Sequence, residues 1–326
     1  MHETFSSFLL AYFHNGSASE AEQIRFAVSD GPSPDRWTVL NGARPILASN
    51  VGEHGVRDPF ILWDASSGRY IVIATDLRTN PDDDWNRAVR SGSRSIAAWE
   101  SVDLVHWSEP RLVAVAPENA GNAWAPKAFW SDVERSWKVF FASALYDAGD
   151  DRTVARHQRM LVADTKDFSE FTTAEVYLDP GHDVIDATFL HWGDHVLRFT
   201  ADSLTADPAA KSQFVSQEMG TDILSTDFRI VARDVGAAHQ SRAEGPTPFM
   251  SLDGRIAYLL LDEFGLRGYR LYRSTSPQTA SWEPVPSAVL PSGSRHGSVI
   301  PITASQRGAL LSSYPSESRA RCMPHE

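Results

Sequence analysis

Ser241-Arg242-Ala243-Glu244-Gly245-Pro246-Thr247-Pro248-Phe249 sets a carboxylate in front of a Gly-Pro turn and then runs into the apolar stretch Ile256-Ala257-Tyr258-Leu259-Leu260-Leu261. A charged side chain at the mouth of a buried strand costs free energy unless something there uses it. Four other stretches share the layout. Arg57-Asp58-Pro59-Phe60 leads into Tyr70-Ile71-Val72-Ile73-Ala74, and Trp124-Ala125-Pro126-Lys127 leads into Trp137-Lys138-Val139-Phe140-Phe141. Val184-Ile185-Asp186-Ala187-Thr188 leads into His195-Val196-Leu197-Arg198-Phe199, and Arg295-His296-Gly297-Ser298 leads into Gly308-Ala309-Leu310-Leu311-Ser312. The heads fall at positions 58, 125, 186, 244 and 296, so one unit recurs about every sixty residues.

A second repeat runs out of phase with the first: a β-rich run ending in Ser or Thr, an Asp a residue or two later, then an aromatic. Ser101-Val102-Asp103-Leu104 with Trp107 and Thr165-Lys166-Asp167-Phe168 with Phe171 are clear copies. Asp or Ser after a strand makes a side-chain-capped turn, so these aspartates read as structural. Each period holds three strands with room for a short fourth. Apolar residues alternate or run in fours to sixes between Gly and Pro, and no helix is expected. Radial repetition of four-stranded antiparallel units gives an all-β, five-bladed β-propeller spanning residues 1–314. Strands near 7–13 and 23–29 have no head of their own. They are expected to pair with strands near 297–302 and 308–314, so that the N-terminal strands close the last blade. Loops 79–93, 145–158 and 202–218 should rise over one face, and residues 315–326 read as a polar, disordered tail.

The balance of 42% hydrophobic and 22% charged residues is that of a soluble globular chain. A formal charge of −12 with pI near 5.4 opposes binding to nucleic-acid phosphates. Cys322 is the only cysteine, so no intrachain disulfide supports the fold. Met1-His2-Glu3-Thr4 lacks a basic leader region, and no apolar run approaches the ~18 residues of a membrane span. The expectation is a cytoplasmic protein with neither a nucleic-acid nor a membrane partner.

In a propeller the first strand of each blade lies nearest the axis, so the heads converge on one end of the central channel. Asp58, Asp186 and Glu244 would share that funnel. Carboxylates held close drive at least one pKa upward, leaving one acid protonated while another stays ionised. Glycoside hydrolysis needs that pairing, a carboxylic acid for the leaving oxygen and a carboxylate for the water. His296 reads equally as a hydrogen-bonded core histidine, and Trp124 and Trp85 equally as a sugar platform or as packing. A catalytically silent carbohydrate-binding propeller and a protein-interaction scaffold are the competing classes; the presence of all three acids counts against the first, and the second leaves the buried carboxylates without a purpose.

The ordered set Arg57-Asp58-Pro59, Trp124-Ala125-Pro126, Ile185-Asp186-Ala187-Thr188, Glu244-Gly245-Pro246 and Arg295-His296-Gly297-Ser298 resembles glycoside hydrolase family 43. The resemblance implies a five-bladed propeller that inverts the anomeric centre, acting on α-L-arabinofuranosides or β-D-xylosides. It implies Asp58 as general base, Asp186 as modulator of the acid's pKa, and Glu244 as general acid. Arg57, Trp85, Trp124 and His296 are then substrate-binding candidates. His296 matches a histidine that faces the axial channel, so a structural Ca²⁺ there is possible, although no cofactor is required. About thirty residues follow His296, too few for an appended β-sandwich, which favours arabinofuranosidase over xylosidase or a bifunctional enzyme.

Overall fold

A computed structural model of the chain describes residues 4–16, 18, 20–202, 213–225 and 227–316. Five four-stranded antiparallel sheets make up the molecule. Blade 1 begins on Val56–Asp64, blade 2 on Trp124–Ser131, blade 3 on Val184–Trp192, blade 4 on Glu244–Met250 and blade 5 on Arg295–Thr303. Each of these innermost strands touches the next, and the fifth returns to the first, which makes the array a closed β-propeller.

Blade 5 takes its other three strands from the start of the chain: Phe5–Phe13, Ile24–Ser29 and Trp37–Val39. The N-terminal closure is as read from the sequence, but its fourth strand is Trp37–Val39 and not the stretch near 308–314. That stretch belongs to helix α2, Ala304–Ser313. Thr303 caps α2 by accepting from the Gln306 backbone N–H, while the Gln306 side chain accepts from the Thr303 N–H in a capping box. Buried Leu310 seats α2 on the apolar layer between blades 5 and 1, and the Tyr314 hydroxyl donates to the Val105 carbonyl at 2.6 Å. A second helix, α1 (Trp85–Ser91), stands in the expected loop 79–93 and is capped by Asp84, which accepts from the Arg87 N–H at 2.8 Å. Most of the loop expected at 202–218 lies outside the described residues, as does the tail from 317 onward. No described helix is long and apolar enough to cross a membrane.

The core is distributed between blades. Phe26 and Trp99 lie between blades 5 and 1, Ile73 and Phe141 between 1 and 2, and Phe140 and Phe189 between 2 and 3. Phe199 with Tyr272, then Leu260 with Phe8, complete the ring. Inner and second strands are therefore apolar on both faces, which explains runs such as Leu259-Leu260-Leu261. The Ser/Thr-x-Asp turns cap themselves as expected: the Ser101 hydroxyl accepts from the Leu104 N–H at 2.9 Å and Asp103 from the His106 N–H at 2.8 Å. Trp107 then folds back edge-on to Phe26, with centroids 5.8 Å apart.

Closure is fastened by Ser298, whose hydroxyl accepts from the Ile61 N–H at 2.8 Å and donates to the Pro59 carbonyl at 3.0 Å. Ser298→Ala leaves a buried N–H and a buried carbonyl without partners. A loss of about 1–3 kcal/mol in chemical denaturation is expected.

Candidate active site

Each inner strand carries a β-bulge at its head. Pairing with the second strand slips between Arg57 and Phe60, Trp124 and Lys127, Ile185 and Thr188, and Glu244 and Thr247, and on the last blade between Ala11 and Phe13 opposite His296. At each slip one residue takes left-handed backbone: Asp58 (φ 54°), Ala125 (49°), Asp186 (60°), Gly245 (55°) and His296 (21°). Such conformations cost of order 1–2 kcal/mol for a non-glycine residue and persist where the surroundings impose them, commonly at sites of function. The bulge turns each side chain toward the axis. In the fourth blade the left-handed position is Gly245, one residue past the expected head. Glu244 occupies the place held elsewhere by Arg57, Trp124, Ile185 and Arg295, and its longer side chain spans the offset.

Gly245 also lies against the cluster, since a Cβ there would stand 2.7 Å from two ring carbons of His296. Gly245→Ala meets both the clash and the left-handed strain. It should lower stability by about 1–3 kcal/mol and displace the imidazole, visible as a lowered melting temperature together with lost turnover.

Asp58, Asp186, Glu244 and His296 line one pit of about 80 Å³, joined by Arg57, Trp85, Trp124, Ala125, Ile185 and Leu77. All seven residues singled out in the sequence thus meet at one place. The buried His296 ring is the hub. Its Nδ1 lies 3.2 Å from Asp58 Oδ1 and 3.7 Å from Asp186 Oδ2, and its Nε2 lies 2.9 Å from Glu244 Oε1. Asp58 also accepts from the Thr75 hydroxyl at 2.7 Å, and Asp186 from the Gly245 N–H at 2.9 Å. Arg57 donates to Glu22 at 3.0 Å and to the Thr79 hydroxyl at 3.1 Å, and its guanidinium lies between the Phe13 and Trp85 rings at 4.8 and 4.9 Å. Trp85, at the start of α1, meets Trp124 edge to face at 6.0 Å, so the two indoles form one wall of the pit.

Burial alone would raise the pKa of Asp58, but the His296 contact and charge, Arg57 and the Thr75 hydroxyl hold it well below the usual carboxylate range. Burial pushes Asp186 up to about 6, the His296 charge opposing and the Glu244 and Asp58 charges reinforcing the rise. Burial also acts to raise Glu244, but His296, Arg295 and Arg57 outweigh it and lower the group. For His296, burial is outweighed by Asp186, Glu244 and the bonds to Asp58 and Glu244, which raise it well above an ordinary imidazole. The order of proton affinity therefore departs from the expected one: Asp186 is the raised carboxyl, while Glu244 is lowered and His296 beside it is raised.

Several participants went unread in the sequence. Asp262, directly opposite Glu244 on the second strand of blade 4, accepts from Arg295 Nε at 2.7 Å, and Arg295 also donates to Glu244 at 2.5 Å. Thr75 pairs with Arg57 in the same way across blade 1. Both are the first polar residues after an apolar second strand, at the register where the hairpin returns to the head. That pairing is the signal that would have found them. Glu22 comes from the N-terminal part of blade 5 and has no local signal.

Glu244, Asp262 and His296 bring one ligand atom each to within 4.8 Å of one another. This donor set does not fit the calcium that the resemblance raised. Ca²⁺ takes six to eight oxygens. Here one oxygen each of Glu244 and Asp262 is bonded by the Arg295 guanidinium, and the third donor is an imidazole nitrogen raised toward the cationic form, so the three groups offer far fewer than six free oxygens.

Comparison with known proteins places the chain in a recognised group. A family model described as a probable glycosyl hydrolase domain, related to family 43, matches residues 3–308. The chain belongs to this family of family 43-related glycosyl hydrolases. It is 30% identical over 174 residues to an alpha-L-arabinofuranosidase of Bifidobacterium longum subsp. longum, a match that covers 49% of this chain and 16% of that much longer protein. Among solved structures, a thermostable family-43 glycoside hydrolase superposes with TM-score 0.54 at 18% identity, covering 77% of this chain and 81% of that one. The Cellvibrio cellulosa alpha-L-arabinanase complexed with arabinohexaose superposes with TM-score 0.57 at 11% identity, covering 84% and 89%. At these identities the structures speak for the propeller fold, and the sequence match to the family model places this chain among the family 43-related hydrolases.

Proposed function

We propose that the chain is an inverting, exo-acting glycosidase that releases terminal α-L-arabinofuranosyl residues from arabinose-bearing oligo- and polysaccharides. The observation that carries this reading is the convergence of Asp58, Asp186 and Glu244, from three blades, on one small pit. Asp58 and Glu244 approach opposite nitrogens of a single imidazole, so a whole ring stands between them. That supports the wide spacing of roughly 6.5–9.5 Å, which leaves room for a water, over the ~5–5.5 Å of retaining enzymes.

In the proposed reaction Asp58, kept ionised by His296, Arg57 and Thr75, takes a proton from the attacking water. Glu244 protonates the leaving oxygen. Its proton comes along the 2.9 Å Nε2···Oε1 contact from His296, because a bound sugar drives out water and a dry site favours the neutral Glu244–imidazole pair over the ion pair. Ionised Asp186 raises the proton affinity of Glu244 and orients the sugar. The pit is closed on one side by the Trp85–Trp124 wall, and its small volume supports a single terminal residue. A neighbouring hollow of about 370 Å³ shares Trp124 and Ile185 with the pit and is lined further by Arg156, His157 and Gln158, which suits the leaving group. The arabinose assignment draws its support from the Bifidobacterium arabinofuranosidase.

A panel of aryl glycosides tests the reading. 4-Nitrophenyl α-L-arabinofuranoside should exceed the β-D-xyloside in kcat/KM by at least about tenfold. The opposite ranking makes the protein a xylosidase. Sugar binding with no turnover, in wild type and Glu244→Ala alike, leaves only a lectin-like propeller.

A further inference from the structure

The register that builds the acid ring builds a second ring two residues further along the inner strands: Phe60, Lys127, Thr188, Thr247 and Ser298. These residues line a channel of about 520 Å³ whose walls share no residue with the pit. Two of the three hydroxyls are committed to neighbouring blades, Thr247 donating to the Gly297 carbonyl at 2.7 Å and Ser298 to the Pro59 carbonyl at 3.0 Å. Lys127 alone brings a charge. It is 4% exposed, and its Nζ lies 5.4 Å from the centroid of the Phe60 ring. Among the described residues no ion pair fixes it; burial lowers its pKa, and the Asp58 and Asp186 charges oppose that lowering.

Around the hub, among the described residues, the carboxylates are Glu22, Asp58, Asp186, Glu244 and Asp262, and the cations are Arg57, Arg295, Lys127 and the protonated His296. The cluster is neutral when one acid holds a proton. Without Lys127 it carries one uncompensated negative charge in a buried site, where unpaired charge is expensive.

We propose that Lys127 is a resident counter-charge: from the channel side it supplies the positive charge that Asp58 and Asp186 require, in the place of a bound divalent cation. Lys127 is thus a positioning residue and does not touch the sugar. Its kinetic consequence rests on the catalytic reading of Asp58, but its electrostatic consequence does not.

Melting temperatures of wild type, Lys127→Met and Lys127→Arg, measured across pH 5 to 8.5 with excess EDTA or millimolar CaCl₂, test the proposal alongside aryl-arabinofuranosidase profiles. Wild type should be unmoved by either addition. Lys127→Met should melt well below wild type above about pH 6 and rejoin it toward pH 5, as protons replace the missing charge. Any inflection of kcat/KM should move up by about one pH unit. Lys127→Arg should follow wild type. A wild type that loses melting temperature in EDTA and regains it with Ca²⁺ overturns the proposal. So does a Lys127→Met deficit that is the same at every pH, which would mark a packing role. If no variant turns over any glycoside while the pH-dependent melting difference appears, the glycosidase reading falls and the counter-charge stands.

Discussion

Glu244→Gln is expected to lower kcat/KM by about 10²–10⁴ on glycosides with poor leaving groups, and by far less on dinitrophenyl glycosides that depart without a proton. The substitution is nearly isosteric, and the amide oxygen can still accept from Arg295 and His296. What it removes is the ability to donate to the glycosidic oxygen. Asp58→Asn, by contrast, removes the base that activates water, and should cost a similar factor whatever the leaving group. The two variants are therefore told apart by the slope of rate against leaving-group pKa, steep for Glu244→Gln and unchanged for Asp58→Asn. Equal losses in both variants with both classes of substrate would mean that Glu244 is not the proton donor.

The second large effect falls on stability and activity in opposite senses. Asp186 is raised from the ordinary 3.8 to about 6 in the folded protein, chiefly by burial, with Glu244 and Asp58 adding to the rise. A group whose folded pKa is raised contributes stability that is complete below its unfolded pKa and is lost as pH rises through the folded value. The loss here runs from about pH 4 to about pH 6 and persists above it, amounting to about 3 kcal/mol. Asp186→Asn escapes that cost, since its amide oxygen can still accept from the Gly245 N–H that Asp186 now binds at 2.9 Å. The variant should melt above wild type at pH 7.5, show no such gain at pH 4, and lose at least about a hundredfold in kcat, because ionised Asp186 no longer supports Glu244. The kcat/KM profile of wild type should rise with pH through about 6, and that inflection should be absent in Asp186→Asn. Destabilisation at both pH values would show that Asp186 is a structural hydrogen-bonding residue and nothing more.

The propeller was legible because its punctuation is chemical. A charged or polar residue before Pro or Gly, followed by a strand apolar on both faces, marks three of the inner strands (Asp58-Pro59, Glu244-Gly245 and His296-Gly297), and Ala125-Pro126 and Asp186-Ala187 fill the remaining places at a spacing of about sixty residues, which closes a ring. The heads were legible as positions but not as conformations: Glu244 reads as the head of its blade, although the left-handed residue is Gly245, because side-chain length and not register carries Glu244 to the hub. Helix α2 was missed because Gly308 and its weak apolar periodicity resemble a turn before a strand, although Thr303-Ala304-Ser305-Gln306 holds a capping-box signature. The outermost strand of blade 5, Trp37–Val39, is too short to declare itself. Residues that act through a neighbour, Thr75 through Asp58 and Asp262 through Arg295, become visible only once the hairpin register is known. Glu22 and Lys127 become visible only once the ring is closed. The electrostatic order of the acids was not legible at all, since it follows from burial and acidic neighbours that push Asp186 up and from His296 and the arginines that hold Asp58 and Glu244 down.

The most direct test of inversion is proton NMR of the first-formed sugar during hydrolysis of an aryl α-L-arabinofuranoside, recorded before mutarotation. Appearance of the β-anomer first is the result required by a water activated by Asp58 on the face opposite Glu244. Appearance of the α-anomer first would contradict it, and would mean that one of the carboxylates gathered around His296 attacks the sugar itself.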